Sequence, residues 1–285
     1  MIDRTLPLGA AAALDAPAEG NRLTVQAAGI PFSALAWGEP GGRPLMLLHG
    51  VTGSAANWWR LGPAVAATGR RVVAVDLPGH GRTGHWVGHH RFRDNAADVA
   101  AFADAAGLAT DDLQVVGHSW GAVTAAALPA AGLRPATLVL LDPPVVPHAV
   151  ISQMVSDPDG RTYDDLEEAL AAVRRQNPDW SDGDILAKAT ALTELDERAA
   201  RAVLLDNGDW DGGLADLADP SASGIPIWVV RGDPAAGGLT PDTAIPAFAA
   251  RIGADHILTI AGGQHSPHRL MPVATTAALL HALED

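Results

Sequence analysis

Ser119 lies in the run Gly117-His118-Ser119-Trp120-Gly121. A serine hydroxyl is a weak nucleophile at neutral pH. It becomes useful when a base sits within hydrogen-bond reach and a carboxylate orients that base. What singles out this serine is its setting. An apolar run, residues 113–116, precedes it and an alanine-rich run, residues 122–131, follows, so the order is strand, G-x-S-x-G, helix. Reversing a strand into a helix within a few residues forces the central residue into a strained conformation. Gly117 and Gly121 lack Cβ atoms, which lets the two backbones approach. The next backbone N–H then stands at a helix N-terminus, where partial positive charge collects.

The base must come from the eleven histidines. His49, His80 and His118 lie within turn motifs, where they are expected to position loops. His85, His89 and His90 fall in a polar connection, and His148, His256 and His281 sit at element starts or in the last helix. His265 follows Gly262-Gly263-Gln264 in a loop after the final strand, from which an imidazole reaches back toward Ser119. His265-Ser266-Pro267-His268 has a spacing that suits a metal pair, but no third ligand clusters with it, so no metal site is expected. Two carboxylates compete to orient the base. Asp233 ends the strand before the histidine strand and Asp142 ends the strand after Ser119; each precedes a proline, a common turn former. Asp233 is preferred, giving the chain order Ser119, Asp233, His265, with Asp142 as the alternative.

The elements that must carry these residues alternate. Strands are expected at residues 22–28 and 31–37 (a hairpin), then 44–48, 71–75, 113–116, 136–141, 225–231 and 256–260. Helices are expected at 57–68, 91–106, 122–131, 241–251 (with Thr240 as N-cap) and 272–283. Short apolar strands between helices imply a mostly parallel sheet covered on both faces. Function in such sheets gathers at the carboxyl ends of the strands, and His49, Asp76, Ser119, Asp142, Asp233 and His265 all fall there. Between residues 145 and 220 the strands stop and helices at 164–175, 182–192 and 196–205 take over. Residues 157–220 hold 17 of the 33 acidic residues, mostly a solvated face. Inserted after a strand end, this segment would cover the catalytic edge as a lid. The expected division is a flexible N-terminal extension (1–20), a first core part (21–144), a helical lid (145–220) and a second core part (221–285).

The chain has 285 residues, 48% hydrophobic, enough for one large α/β domain. A net charge of −14 without a Lys/Arg cluster speaks against nucleic acid and anionic membrane as partners. No apolar run reaches the roughly 18 residues of a spanning helix. The absence of cysteine excludes disulfides and thiolate metal sites. Residues 5–14 are apolar, yet Asp3 beside Arg4 leaves no positive n-region, so a cytoplasmic protein is expected, with secretion left open.

The pieces Leu47-Leu48-His49-Gly50, Asp76-Leu77-Pro78-Gly79-His80-Gly81, the Ser119 run, the segment from Ile227 to Asp233, and Gly263-Gln264-His265 together resemble the α/β-hydrolase family, and within it the lid-bearing, esterase-like members. The resemblance implies an eight-stranded, mostly parallel sheet flanked by helices, with a helical lid after strand 6. It implies Ser119 as nucleophile, His265 as general base and acid, Asp233 as orienting acid, and the backbone N–H groups of Val51 and Trp120 as the oxyanion hole. It departs from the family pattern at Ala235, where the acid often stands, and at Gln264, where a glycine often precedes the histidine. The expected activity is cleavage of small-molecule carboxylic esters by a carboxylesterase-like enzyme with no cofactor. The same triad also serves C–C bond hydrolases, lactonases and perhydrolases, and a non-catalytic ligand-binding protein is the remotest reading. Serine at 119 argues against epoxide and haloalkane chemistry, for which the family uses a carboxylate nucleophile. Trp58 and Trp59 are candidates for the substrate pocket.

Overall fold

The computed structural model describes residues 5–84, 90–155 and 162–284. His85 and His89 lie outside them. Eight strands form one sheet: β1 (Asn21–Ala27), β2 (Ile30–Trp37), β3 (Arg43–Leu48), β4 (Arg70–Val75), β5 (Gln114–His118), β6 (Thr137–Leu141), and two later strands, Ile227–Gly232 and Ile257–Ile260. A short antiparallel pair, β7 (Val145–Val146) and β8 (Trp210–Asp211), stands apart, so the two later strands are β9 and β10. The sheet order is β1-β2-β4-β3-β5-β6-β9-β10. Only β1–β2 and β2–β4 are antiparallel; the rest is parallel.

The sequence explains why the central strands read as unbroken apolar runs. Successive side chains face opposite sides, and here both sides are core. Met46, Leu48, Val73, Val75, Val115 and Leu140 face one hydrophobic cluster, while Leu45, Leu47, Val72, Ala74, Val116 and Leu141 face the other. Helices α1 (Leu8–Asp15), α2 (Leu61–Ala66) and, at the end of the chain, Pro272–Ala282 cover the second face; α3 (Phe92–Ala105) and α4 (Trp120–Ala127) cover the first. Between β6 and β9 run α5 (His148–Met154), α6 (Leu166–Gln176), α7 (Asp182–Thr193), α8 (Glu197–Leu205) and α9 (Leu214–Leu217). This inserted segment has its own small core, with Tyr163, Val173, Ile185 and Leu192. Part of its acidity is explained by capping: Asp165 accepts from Glu168 N and Asp196 from Arg198 N, and Asp182 and Asp184 in the first turn of α7 interact favourably with the helix dipole. α10 (Ile245–Ile252), α11 (Pro267–Leu270) and the closing helix, α12, complete the chain. Among the described residues no helix is long and apolar enough to cross a membrane.

Four expectations need correction. Residues 5–20 are not a loose extension: α1 buries Ala10 and Leu14 against α2 and α12, and Trp37 Nε1 donates to Ala18 O at 3.0 Å. Its alanines are small enough to let one helix lie close on another, so an Ala-rich segment found packing rather than solvent. The expected helix at 57–68 is a 3₁₀ turn, Ala55–Trp58, capped by Ser54, followed by the short α2. The helix expected from residue 241 begins as a 3₁₀ turn at Asp242–Ala244, because Pro246 has no N–H for an α-helical bond back to residue 242. Thr240 does not cap it; its hydroxyl donates to Pro143 O at 2.7 Å.

Candidate active site

β5 ends in the sharp turn that its glycines require. Ser119 has φ +56° and ψ −122°, a conformation that costs a non-glycine residue about 1–3 kcal/mol. A Cβ on Gly121 would come within 2.5 Å of Leu48 O, and one on Gly117 would collide with the Gly121 carbonyl. Both obstacles are backbone and cannot rotate away. Gly117→Ala is therefore expected to cost about 3 kcal/mol or more, read as a drop in the urea midpoint at unchanged slope. Ser119 N donates to Leu141 O at 3.0 Å, tying the turn to the end of β6.

His265 arrives from the loop between β10 and α11. Its Nε2 lies 2.8 Å from Ser119 Oγ and its Nδ1 lies 2.7 Å from Asp142 Oδ2. A carboxylate only accepts, so Nδ1 carries the proton and Nε2 is left to accept from the serine hydroxyl. This corrects the preferred acid. Asp142, at the end of β6 with φ +44°, is fully buried and also accepts from Gly232 N and Leu239 N, both at 2.9 Å. Its side chain occupies the space above the end of β9. Asp233, one residue beyond that strand end, is partly exposed and faces elsewhere: it accepts from Ala235 N and Gly262 N and caps the turn that follows it.

Burial pushes the Asp142 carboxyl up, but the His265 hydrogen bond and charge and the two backbone donors outweigh it and hold the carboxyl below its usual range. A depressed carboxylate stabilises the fold in full above its unfolded pKa, about 4, and that contribution is lost as the pH falls through the folded value. The stability difference between the wild type and Asp142→Asn should therefore shrink as the pH is lowered from about 5 toward 3, as followed by urea unfolding.

Neutral histidines brace the surroundings. Burial and the neighbouring His265 pull His118 down to about 3, and its Nε2 donates to His265 O at 2.8 Å. Burial pulls His49 down to about 4, and its Nε2 accepts from Leu77 N at 3.0 Å. His80 Nε2 lies 2.5 Å from Val51 O. Asp76 is a tie rather than a reacting group: it accepts from Ala55 N, Arg82 N and Arg22. The Gly50–Val51 turn passes directly beside the serine, since a Cβ on Gly50 would be 3.4 Å from Ser119 Oγ. The Trp120 ring is buried near His49 and His80, leaving its backbone N–H at the start of α4.

Ser119, His265 and Val51 border a cavity of about 410 Å³ whose far wall comes from the inserted segment, through Ile151, Trp180, Leu204 and Trp210. Trp58 and Trp59 do not line it. The 3₁₀ turn drives Trp58 into the core, where it stacks on His268 with centroids 5.4 Å apart. Trp59 Nε1 donates to Asp184 Oδ1 at 3.1 Å. Sequence reasoning also missed Lys188 and Arg269, which line the cavity; the signal was that Lys188 is the only lysine in the chain.

Comparison with known proteins places this geometry. A family model described as the alpha/beta hydrolase fold matches residues 43–219. Among curated relatives, the dihydrolipoyllysine-residue acetyltransferase component of the acetoin cleaving system of Pseudomonas putida is 41% identical over 98 residues, 34% of this chain and 25% of that protein. Epoxide hydrolase B of Mycobacterium tuberculosis is 37% identical over 83 residues, 28% of this chain and 23% of that protein. The non-heme haloperoxidase of Rhodococcus erythropolis is 37% identical over 147 residues, 49% of this chain and 50% of that protein. The chain thus spans half or less of the length of these relatives. Among solved structures, E-2-(acetamidomethylene)succinate hydrolase superposes with a TM-score of 0.76 at 18% identity, covering 93% of this chain and all of that one. A hydrolase from Pseudomonas aeruginosa gives 0.73 at 19% identity, covering 93% of this chain and 99% of that one. The eight-stranded sheet, the strained serine turn and the family match agree: this chain belongs to the alpha/beta hydrolase fold family.

Proposed function

We propose that the protein is a serine hydrolase that cleaves small-molecule carboxylic esters through an acyl-enzyme on Ser119. The observation that carries this reading is the continuous pair of hydrogen bonds from Ser119 Oγ through the His265 ring to Asp142. Ser119 Oγ attacks the ester carbonyl while His265 Nε2 takes its proton. The N–H groups of Val51 and Trp120 hold the developing oxyanion, an effect of about 3 kcal/mol per donor in comparable sites. Collapse of the tetrahedral intermediate breaks the bond to the alkoxy group, which leaves as alcohol with the proton from Nε2. Water then repeats the sequence on the acyl-enzyme, giving the free acid and restoring Ser119. Asp142 keeps the imidazole in the tautomer that accepts from serine and stabilises the imidazolium that forms. The helices of residues 145–220 act as a lid whose inner face shapes the pocket. A hydroxyl, not a carboxylate, at position 119 supports attack on a carbonyl rather than displacement at a saturated carbon.

A fluorophosphonate reagent tests the nucleophile directly. Intact-mass spectrometry should show one adduct per chain, and peptide mapping should find it on Ser119. Absence of labelling in folded protein, or an adduct on another serine, removes the proposal.

A further inference from the structure

Lys188, on α7, reaches the cavity that holds Ser119. Its Nζ donates to the carbonyl and the hydroxyl of Thr52, the former at 3.0 Å. Both acceptors are uncharged, and among the described residues no carboxylate forms an ion pair with it. Burial, and then the nearby Arg269, pull the Lys188 ammonium down to about 7. Arg269 stands four residues after His265 and is only 5% exposed. Its guanidinium lies over the Trp180 ring, 4.2 Å from the centroid, and Nη1 donates to Asp184 O at 3.0 Å, while Nε has no partner among the described residues. Burial lowers Arg269 to about 10, opposed only by the charge of Asp184. That carboxylate is already shared among Ser181, Trp59 and, at 3.8 Å, Arg60. Among the described residues a third cation, Arg201, borders the same cavity, against one acid, Glu197.

Desolvated cations without counter-charges are costly to keep in a fold. Lys188 and Arg269 also repel each other, and much of the rest of the wall is apolar. An anionic ligand would remove both penalties, and a guanidinium with an unused N–H suits a carboxylate. Building on the ester-hydrolase reading, we propose that the cavity takes acyl substrates with a carboxylate remote from the scissile carbonyl, and that Lys188 and Arg269 bind that carboxylate. The substrate class is then half-esters of short dicarboxylic acids, cleaved to the dicarboxylate and an alcohol.

Two esters that differ by one charge test this: 4-nitrophenyl hydrogen succinate and methyl 4-nitrophenyl succinate. In the wild type, kcat/KM is expected to favour the charged ester by about 10-fold or more, chiefly through KM. Lys188→Gln should cut the ratio of charged to methyl ester by about 10-fold, and Lys188→Arg should restore part of it. A wild type that prefers the methyl ester overturns the proposal. So does a Lys188→Gln enzyme that loses both esters equally, since the lysine then only tethers the Thr52 loop. Binding separates this from the chemistry. By calorimetry on Ser119→Ala, monomethyl succinate should bind and methyl butyrate should bind at least about 10-fold more weakly, with the difference lost when Lys188→Gln is added. If binding discriminates while neither ester turns over, the ester-hydrolase reading fails and the anion site stands. If both esters turn over and binding does not discriminate, the anion site fails alone.

Discussion

Asp142→Asn is expected to lower kcat on 4-nitrophenyl acetate by about 10⁴-fold, with Asp233→Asn staying within about 3-fold of the wild type. The asymmetry follows from what each carboxylate touches. An asparagine in place of Asp142 would keep the shape of the side chain and, through its amide oxygen, one acceptor for Gly232 N or Leu239 N. Facing His265 Nδ1 with its NH₂ group, it would reverse the tautomer, so that Nε2 becomes a donor aimed at Ser119 Oγ and can no longer accept its proton. Asp233 instead accepts two backbone N–H groups in a surface turn. Losing one of those bonds costs about 1 kcal/mol of stability and should leave the chemistry intact. The reverse order of effects, with Asp233→Asn the dead enzyme, would sink the assignment of Asp142 as the orienting acid.

Ser119→Ala should abolish turnover, by about 10⁶-fold in kcat, because no other hydroxyl replaces the acyl acceptor. The fold should survive unchanged. Alanine bears the same strain at φ +56° as serine, and the one side-chain hydrogen bond lost, to His265, lies at the cavity edge. The thermal midpoint of Ser119→Ala should therefore stay within about 4 °C of the wild type. Ester turnover retained in this variant, with the contaminating activity of a mock purification subtracted, would remove the acyl-enzyme mechanism whatever the other variants do.

The parts of this molecule that were legible in the sequence are those fixed locally. Gly117 and Gly121 flag the serine turn because only glycine fits there, and the apolar strands announce a sheet covered on both faces. His265 could be chosen because a loop behind paired glycines at the last strand end leads back to the serine. The acid could not, because the choice between Asp142 and Asp233 depends on which strand end overhangs the other. That is decided by β6 and β9 lying side by side, with Asp142 folding over Gly232. The paired tryptophans misled for a similar reason. Sequence gives their proximity to the Gly50 turn, but the Ser54-capped 3₁₀ turn decides that Trp58 faces the core. α1 was hidden because alanine-rich composition says nothing about a partner; its packing rests on Ala10 and Leu14 meeting α2 and α12 from the opposite end of the chain.

The two-residue ladder between β7 and β8 brings the start of α5 and the chain beyond α8 to neighbouring points on the rim of the sheet. A graft therefore enters and leaves through one narrow doorway, but it must also replace the partners that Asp184 and Lys188 give Trp59, Arg269 and Thr52 beneath it. Chimeras that exchange residues 147–209 for the corresponding stretch of another family member, with those partners kept, would hold the serine turn and its histidine in register while changing the room into which they open.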